Sequence, residues 1–503
     1  MGVPDLDVAV PRLTELLSGK KPHPTVQVAA ARALVELKAT RSAPQMADAA
    51  RRYGADLRQV VEPALAEWRY DQFTTDWEAR LKAPETRHRD LILALECLAA
   101  IGKTSAAEPI LEFVHAPLQR NDVRVAAARA AGSLRDSGLE GDARRLMASG
   151  SAPQLDRLCA VLLLARHAGT DAQSLLLTLA VDEEPAVAVV ALTRLLEIDP
   201  HLVLPIAEKS MENADAKVRQ RGADAYIQVP EPDRMLVLAR LLDDPHPGVR
   251  RSVCSSLLEL TGRAELDGPI RQAATRMLAG DRWRGQEQAA LLLGALDHEP
   301  AAPRLQELLD SPRGEVEIAA AWALKELAIP ETLPPLLKKT QERTAERTKP
   351  GPKAPALDEE VGHLFELFGK LKYAPAEPLL REHVPKRFEL GYYSRSAAIW
   401  SLGHLHAGVP DDALAAQFIE RAKDFGPPAE LHKVQVMSLI SVGRMKAVSQ
   451  TEEMRKMSSP TISSNYDGEV QRWVLKQLTG EDLPELEPSI ERLGGWFLEP
   501  LDP

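Results

Sequence analysis

Apolar residues along this chain fall into short helical runs parted by turn residues, and the runs repeat. The stretch LLDDPHPGVRRSVCSSLLELTG, residues 241–262, shows the unit most plainly. Asp244-Pro245 and Pro247-Gly248 punctuate a tight helix–helix connection. Val249, Val253, Leu257 and Leu260 then resume a helical period. Two short helices each leave an apolar stripe that one unit cannot bury, so the unit must stack on copies of itself.

Aligned on the apolar residue that opens the second helix, the pattern recurs at Val123, Leu155, Val187, Val218 and Val249, at steps of 32, 32, 31 and 31 residues. Four places on stand Ala127, Cys159, Ala191, Gly222 and Val253, small enough for a close helix crossing; eight places on stand Ala131, Leu163, Leu195, Tyr226 and Leu257. Further units open at Val26 and Val316. A period in the low thirties without β-rich segments predicts an all-α fold, an α-solenoid of stacked antiparallel helix pairs.

DPHPGVRRSV, NADAKVRQRG and RNDVRVAAARAAGSL resemble HEAT-type repeats, particularly the short bacterial variety also found in phycobilin lyases. Asp244, Val249 and Arg250 carry the repeat's Asp-x-x-x-x-Val-Arg core, and Asp215, Val218 and Arg219 carry it more loosely. The resemblance spans about residues 23 to 480 and is strongest between 120 and 330. It implies the fold and says little of activity, because the motif residues are packing residues.

The pattern divides the chain into a first helix pair (1–43), an irregular segment (44–87), regular repeats (88–340), a Pro- and charge-rich loop (341–358), less regular repeats (359–480) and a terminal cap (481–503). Segment 44–87 holds Tyr53, Trp68, Tyr70, Phe73 and Trp77, which either fill a gap in the stack or form a contact patch. Around the loop, Lys338, Lys339, Arg343, Arg347, Lys349 and Lys353 mix with Pro350, Pro352 and Pro355 before Asp358, Glu359 and Glu360. Such a composition reads as a solvated, mobile segment, with a basic docking loop over 338–353 as the alternative.

Composition narrows the function. A formal net charge of −11 opposes recruitment to nucleic acid or anionic membrane, and 4% aromatics argue against a large enzyme pocket. Cys97, Cys159 and Cys254 sit in apolar helical runs without C-x-x-C spacing and read as buried thiols of a reducing compartment. No signal peptide is visible, Leu6 stands where a myristoylation site would want Ser or Thr, and the longest apolar run, 158–165, is too short to span a bilayer. A cytoplasmic protein is expected.

No phosphate loop, dinucleotide fingerprint, H-E-x-x-H or G-x-S-x-G motif occurs. His404 and His406, two apart, cannot share a metal on one helical face. No catalytic residue, cofactor or metal is therefore expected. Arg124, Arg219 and Arg250 are expected to bond an Asp or carbonyl of the neighbouring repeat.

The resemblance implies that the second helix of each pair lines a concave side. Positions six and ten after the opening residue share a ridge there: Arg32 and Glu36, Arg129 and Ser133, Val161 and Ala165, Thr193 and Glu197, Asp224 and Gln228, Ser255 and Glu259, Trp322 and Glu326. The ridge is mixed and mildly acidic, unlike a phosphate track. Trp322 stands where its counterparts are small or polar, as a gap filler or a binding anchor. The candidate partner-binding residues are Trp322, Glu326, Arg129, Thr193, Glu197, Asp224, Gln228, Ser255 and Glu259. The expected function is a non-catalytic protein-interaction scaffold. The alternatives are a phycobilin-lyase-like or DNA-glycosylase-like enzyme, which would need an aromatic-rich or a basic groove, and nucleic-acid binding through 338–353.

Overall fold

The structure is a computed structural model that describes residues 9–18, 23–148, 152–349, 351, 354–457 and 466–481. Among these residues every regular element is a helix, and the chain divides into two compact units, Met1–Val229 and Pro230–Pro503. Each unit is a stack of helix pairs. In the first, the second helices Pro24–Glu36, Ala55–Glu67, His88–Ala100, Asn121–Leu134, Gln154–Leu163, Pro185–Ile198 and Ala216–Gln228 each pack on the next. In the second, Pro247–Leu260, Trp283–Ala295, Gly314–Leu327, Ala354–Lys370, Tyr392–Leu405, His432–Met445 and Tyr466–Thr479 do the same. Successive first helices mostly touch one another less, so the row of second helices, termed the inner row for its closer packing, is the tighter face of each stack.

The repeat register explains the tightness. Val123, Val187, Val218 and Val249 are buried, as are Ala127, Cys159 and Ala191 four places on and Leu163, Leu195 and Leu257 eight places on. A Cβ at Gly132 would sit 2.1 Å from the carbonyl oxygen of Leu162, so the helix crossing there admits only glycine. In the second unit the same device becomes a ladder. The Ser401 hydroxyl donates to the Phe365 carbonyl (2.6 Å) and that of Ser441 to the Ile399 carbonyl (2.9 Å), while Gly369 gives room to Ser401 and Gly403 to Ser441.

Arg124 bonds as expected, donating to Asp156 of the next repeat (2.7 Å). Arg219 donates to the Asn213 and Ala214 carbonyls of the turn just before its own helix, and Arg250 departs from the expectation, donating to the Asp244 and Pro245 carbonyls of its own turn. A turn that brings its carbonyls back to the first helical turn is within easier reach than the next repeat.

Segment 44–87 is less irregular than its sequence. It holds most of Ala43–Arg52, then Ala55–Glu67 and Thr74–Lys82. Phe73 and Trp77 are fully buried and meet edge to face, so these two aromatics are filling the stack. Trp77 Nε1 donates to Glu62 (3.0 Å), a buried carboxylate also held by both terminal nitrogens of Arg80 at 2.7 and 2.6 Å.

The expected loop at 341–358 is corrected more sharply. Helix Leu333–Arg347 runs into it and helix Ala354–Lys370 out of it, leaving Thr348, Lys349 and Gly351 as the described connection. Charge density misled because Lys339, Arg343 and Arg347 are engaged by the fold. Buried Arg343 reaches Glu360 (3.2 Å), Glu317 (3.4 Å), Asp310 (3.1 Å) and Glu346 (3.0 Å), and donates to the Leu309 carbonyl. Lys339 pairs with Asp310 (2.9 Å), and Arg347 donates to the Glu389 carbonyl (3.0 Å). These three side chains are spent on the protein itself and are not available to a basic docking loop, whereas Lys338 and Lys349 are exposed and Lys353 lies outside the described residues. The proposed cap over 481–503 lies outside the described residues, except for Glu481.

Burial, opposed by Arg343 and reinforced by Glu317, pushes the Glu360 carboxyl up to about 8. An unfolded glutamate titrates at about 4.3, so this contribution to stability is complete below that pH and is lost as the pH rises towards about 8. Glu360→Gln, neutral throughout, should therefore gain stability relative to wild type between about pH 5 and about pH 8. Thermal melts across that range check it; a difference independent of pH would mean Glu360 stays ionised.

Candidate functional site

Four successive inner helices of the second unit, Gly314–Leu327, Ala354–Lys370, Tyr392–Leu405 and His432–Met445, enclose a groove of about 660 Å³. Trp322 lines it half-buried, and one turn later Lys325 bridges Glu326 and Glu366, both at 3.1 Å. Glu366 is buried and also faces His363 Nδ1 at 3.2 Å. Opposite stand Tyr392 and Tyr393, with centroids 5.3 Å apart edge to face; Tyr393 is 40% exposed.

The tyrosine pair is fixed by a clasp between helices. Asp358 accepts from the backbone N–H of Tyr392 (2.8 Å), Tyr393 (3.1 Å) and Ser394 (2.9 Å), and from the Ser394 hydroxyl (2.7 Å). This carboxylate fills the N-terminal hydrogen-bonding positions of a helix that brings no cap of its own, and its charge suits the positive helix end. Gly391 precedes the helix at φ +100°, and a Cβ there would lie 1.9 Å from Asp358 Oδ1. Only glycine permits the clasp.

Lys433 completes the floor. It is 7% exposed, with Nζ 4.3 Å from the Tyr393 centroid and 5.5 Å from that of Tyr392. Burial lowers its ammonium to about 8 against the pull of Glu366, Asp358 and Glu359. The groove thus offers aromatic faces, a part-desolvated cation and a carboxylate rim of Glu326 and Glu359. Such a surface can seat an apolar or aromatic side chain and hydrogen-bond the chain that carries it.

Of the sequence-derived candidates, Trp322 and Glu326 meet in this groove and the others do not. Arg129 is exposed on its helix, Thr193 donates to its own helix (Val189 carbonyl, 2.7 Å) and Glu197 pairs with Arg194 (3.0 Å). Asp224 is half-buried and pairs with Arg221 (2.8 Å), and Gln228, Ser255 and Glu259 are exposed. Val161 is fully buried, which interrupts the ridge where helix Gln154–Leu163 stops short. Arg32 lines a separate groove of about 790 Å³ with Val28, Tyr53, Val60 and Arg89.

Lys433, His363 and Tyr393 were not singled out from the sequence, and Asp358 was read only as the acidic end of the loop. A lone lysine or histidine in a helical run reads as surface, and only the tyrosine doublet beside Gly391 could have given a signal. His404 packs on Trp400 (4.1 Å) and His406 pairs with Glu377 (3.0 Å). Among the described residues no group of three or more His, Cys, Asp or Glu could hold a metal ion, and no helix is long and apolar enough to cross a membrane.

No protein-family model matches the chain, and no curated protein matches it in sequence. Solved structures do. Kap95p in a study of its binding to RanGDP is 14% identical with a TM-score of 0.61, over 93% of this chain and 72% of that one. Yeast importin-β (Kap95p) is 14% identical with a TM-score of 0.53, over 89% and 69%. Kap95p in complex with Nup1 is 15% identical with a TM-score of 0.51, over 94% and 68%. At such identities the likeness is one of fold. The chain is an α-solenoid of HEAT-like repeats.

Proposed function

We propose that this chain is a non-catalytic scaffold of the cytoplasm, whose inner-row groove receives a side chain from a protein partner. The observation that carries the reading is Trp322. It stands half-buried on the tighter face of the stack, across a groove from the exposed Tyr393. Large amphipathic aromatics in a partly desolvated pocket are where binding energy concentrates. The neighbours support the general reading: Kap95p acts on RanGDP and forms a complex with Nup1. The groove is pre-organised by the Asp358 clasp, so little ordering cost falls on this side of an interface. The kinship with short bacterial repeats belongs to the same proposal.

Affinity capture compared between wild type and two single variants tests it. Trp322→Ala and Tyr393→Ala should each weaken a partner retained by wild type by about 2 kcal/mol, roughly thirtyfold in Kd. Tyr393 is exposed enough that the melting temperature of its variant should hold. Partners retained equally by both variants would place the binding surface elsewhere.

A further inference from the structure

A second surface in the same unit has a different chemistry. The turn before helix Trp283–Ala295 reads Gly280-Asp281-Arg282-Trp283-Arg284. Over the Trp283 ring lie two guanidinium groups, Arg284 at 4.5 Å and Arg313 at 4.8 Å from its centroid. Arg313 comes from the next repeat, so the pair is built by stacking. On the other flank of the turn, Arg240, Arg276 and Arg282 line a cavity of about 400 Å³ together with Asp243 and Asp281.

Most arginines described above are answered by a carboxylate or a carbonyl. Arg276, Arg284 and Arg313 have no ion pair among the described residues, whereas Arg282 pairs with Asp243 (3.2 Å). Asp243 also accepts from the Gly285 N–H (3.2 Å), so its oxygens are committed. Arg282 and Arg313 further occupy the N-cap positions of two neighbouring inner helices and cap neither with a side chain. Side-chain oxygens are preferred there, and a cation adds to the positive end of the helix dipole. Positive potential is thereby concentrated at one edge of a chain whose formal net charge is −11.

We infer that this Arg–Trp–Arg edge binds an acidic, Asp/Glu-rich segment of a protein partner. Guanidinium groups held against the indole face, with no ion pair among the described residues, keep N–H donors that can receive a carboxylate two hydrogen bonds at a time. A continuous phosphate backbone fits less well. The cations span only a short run of neighbouring repeats, and Asp281 and Glu315 interrupt them. Beyond a Debye length of about 8 Å the acidic remainder of the chain would be screened from a short segment but would repel a long polyanion. The inference shares no residue with the Trp322 groove and stands apart from it.

Fluorescence anisotropy of a labelled twelve-residue Glu-rich peptide, titrated with the full chain, tests the edge. Binding should weaken as salt rises, and Arg284→Glu with Arg313→Glu should weaken it tenfold or more, while Arg52→Glu, an exposed arginine of the other unit, leaves it unchanged. Arg276→Glu, exposed and outside the stack, should lower affinity severalfold even if the double variant folds poorly. Failure of the peptide to bind, or binding indifferent to Arg276→Glu, overturns the inference. So does tighter binding of a single-stranded DNA oligonucleotide of equal charge, lost in the same variants.

Discussion

Gly403→Val is expected to destabilise the second unit by about 3 kcal/mol or more, the upper range for overpacking a core. A Cβ at Gly403 would lie 2.5 Å from the Ser441 hydroxyl, 2.8 Å from its Cβ and 2.9 Å from its Cα, so backbone as well as side chain must give way. The neighbouring rungs cannot absorb the shift, because Gly369 is equally filled by Ser401 and Gly443 by Trp473. In a repeat stack each unit contacts only its neighbours, so opening should start at helices Tyr392–Leu405 and His432–Met445. Hydrogen exchange would localise it, and denaturant titration would give its size. Gly403→Ala with Ser441→Gly should recover part of the loss of Gly403→Ala alone. A fully tolerated Gly403→Val would mean that the ladder is looser than its distances imply.

The second large effect belongs to a buried ion pair. Arg395 and Glu430 are both buried, and Nη1 and Nη2 donate to the two carboxylate oxygens at 2.8 Å each. Glu430 also accepts from the Leu431 N–H (2.9 Å), and Arg395 donates to the His383 carbonyl (3.3 Å). Removing one partner leaves the other charge without compensation in the interior, at a cost of about 3–5 kcal/mol. Glu430→Gln should show that loss at neutral pH. Replacing both residues by apolar ones, Arg395→Met with Glu430→Leu, should cost much less.

The pH dependence has a definite sign. Burial raises the Glu430 carboxyl, but hydrogen bonds from Arg395 and the Leu431 N–H, with the charges of Arg395 and Arg421, leave it below its ordinary value. Its contribution is therefore present above about pH 4.3 and lost as the pH falls through the folded-state value. The gap between wild type and Glu430→Gln should narrow in acid. A constant gap down to about pH 3 would show that the variant fails for reasons of packing rather than charge.

The fold was legible in the sequence because a solenoid is built from local contacts. A step of 31 or 32 residues and small residues at Ala127, Ala191 and Gly222 specify a helix pair that must stack, and those positions are the buried ones. Trp322 was legible for the same reason: against a repeat, a misplaced aromatic is visible. The error at 341–358 has the opposite cause. Lysine, arginine and proline at high density read as solvated chain, and only tertiary structure could supply Asp310, Glu317 and Glu360 as partners of Arg343.

What tertiary structure alone decided is where the chemistry gathers. Asp358 holds the Tyr392–Tyr393 doublet from the preceding inner helix, and Lys433 comes under it from the following one. Arg313 meets Trp283 from the next repeat. Periodicity states which residues face a neighbour, because burial of apolar surface is non-directional and any complementary stripe will serve. It does not state which polar side chains meet, since a hydrogen bond or ion pair depends on distances of a few tenths of an ångström that only the packed stack sets.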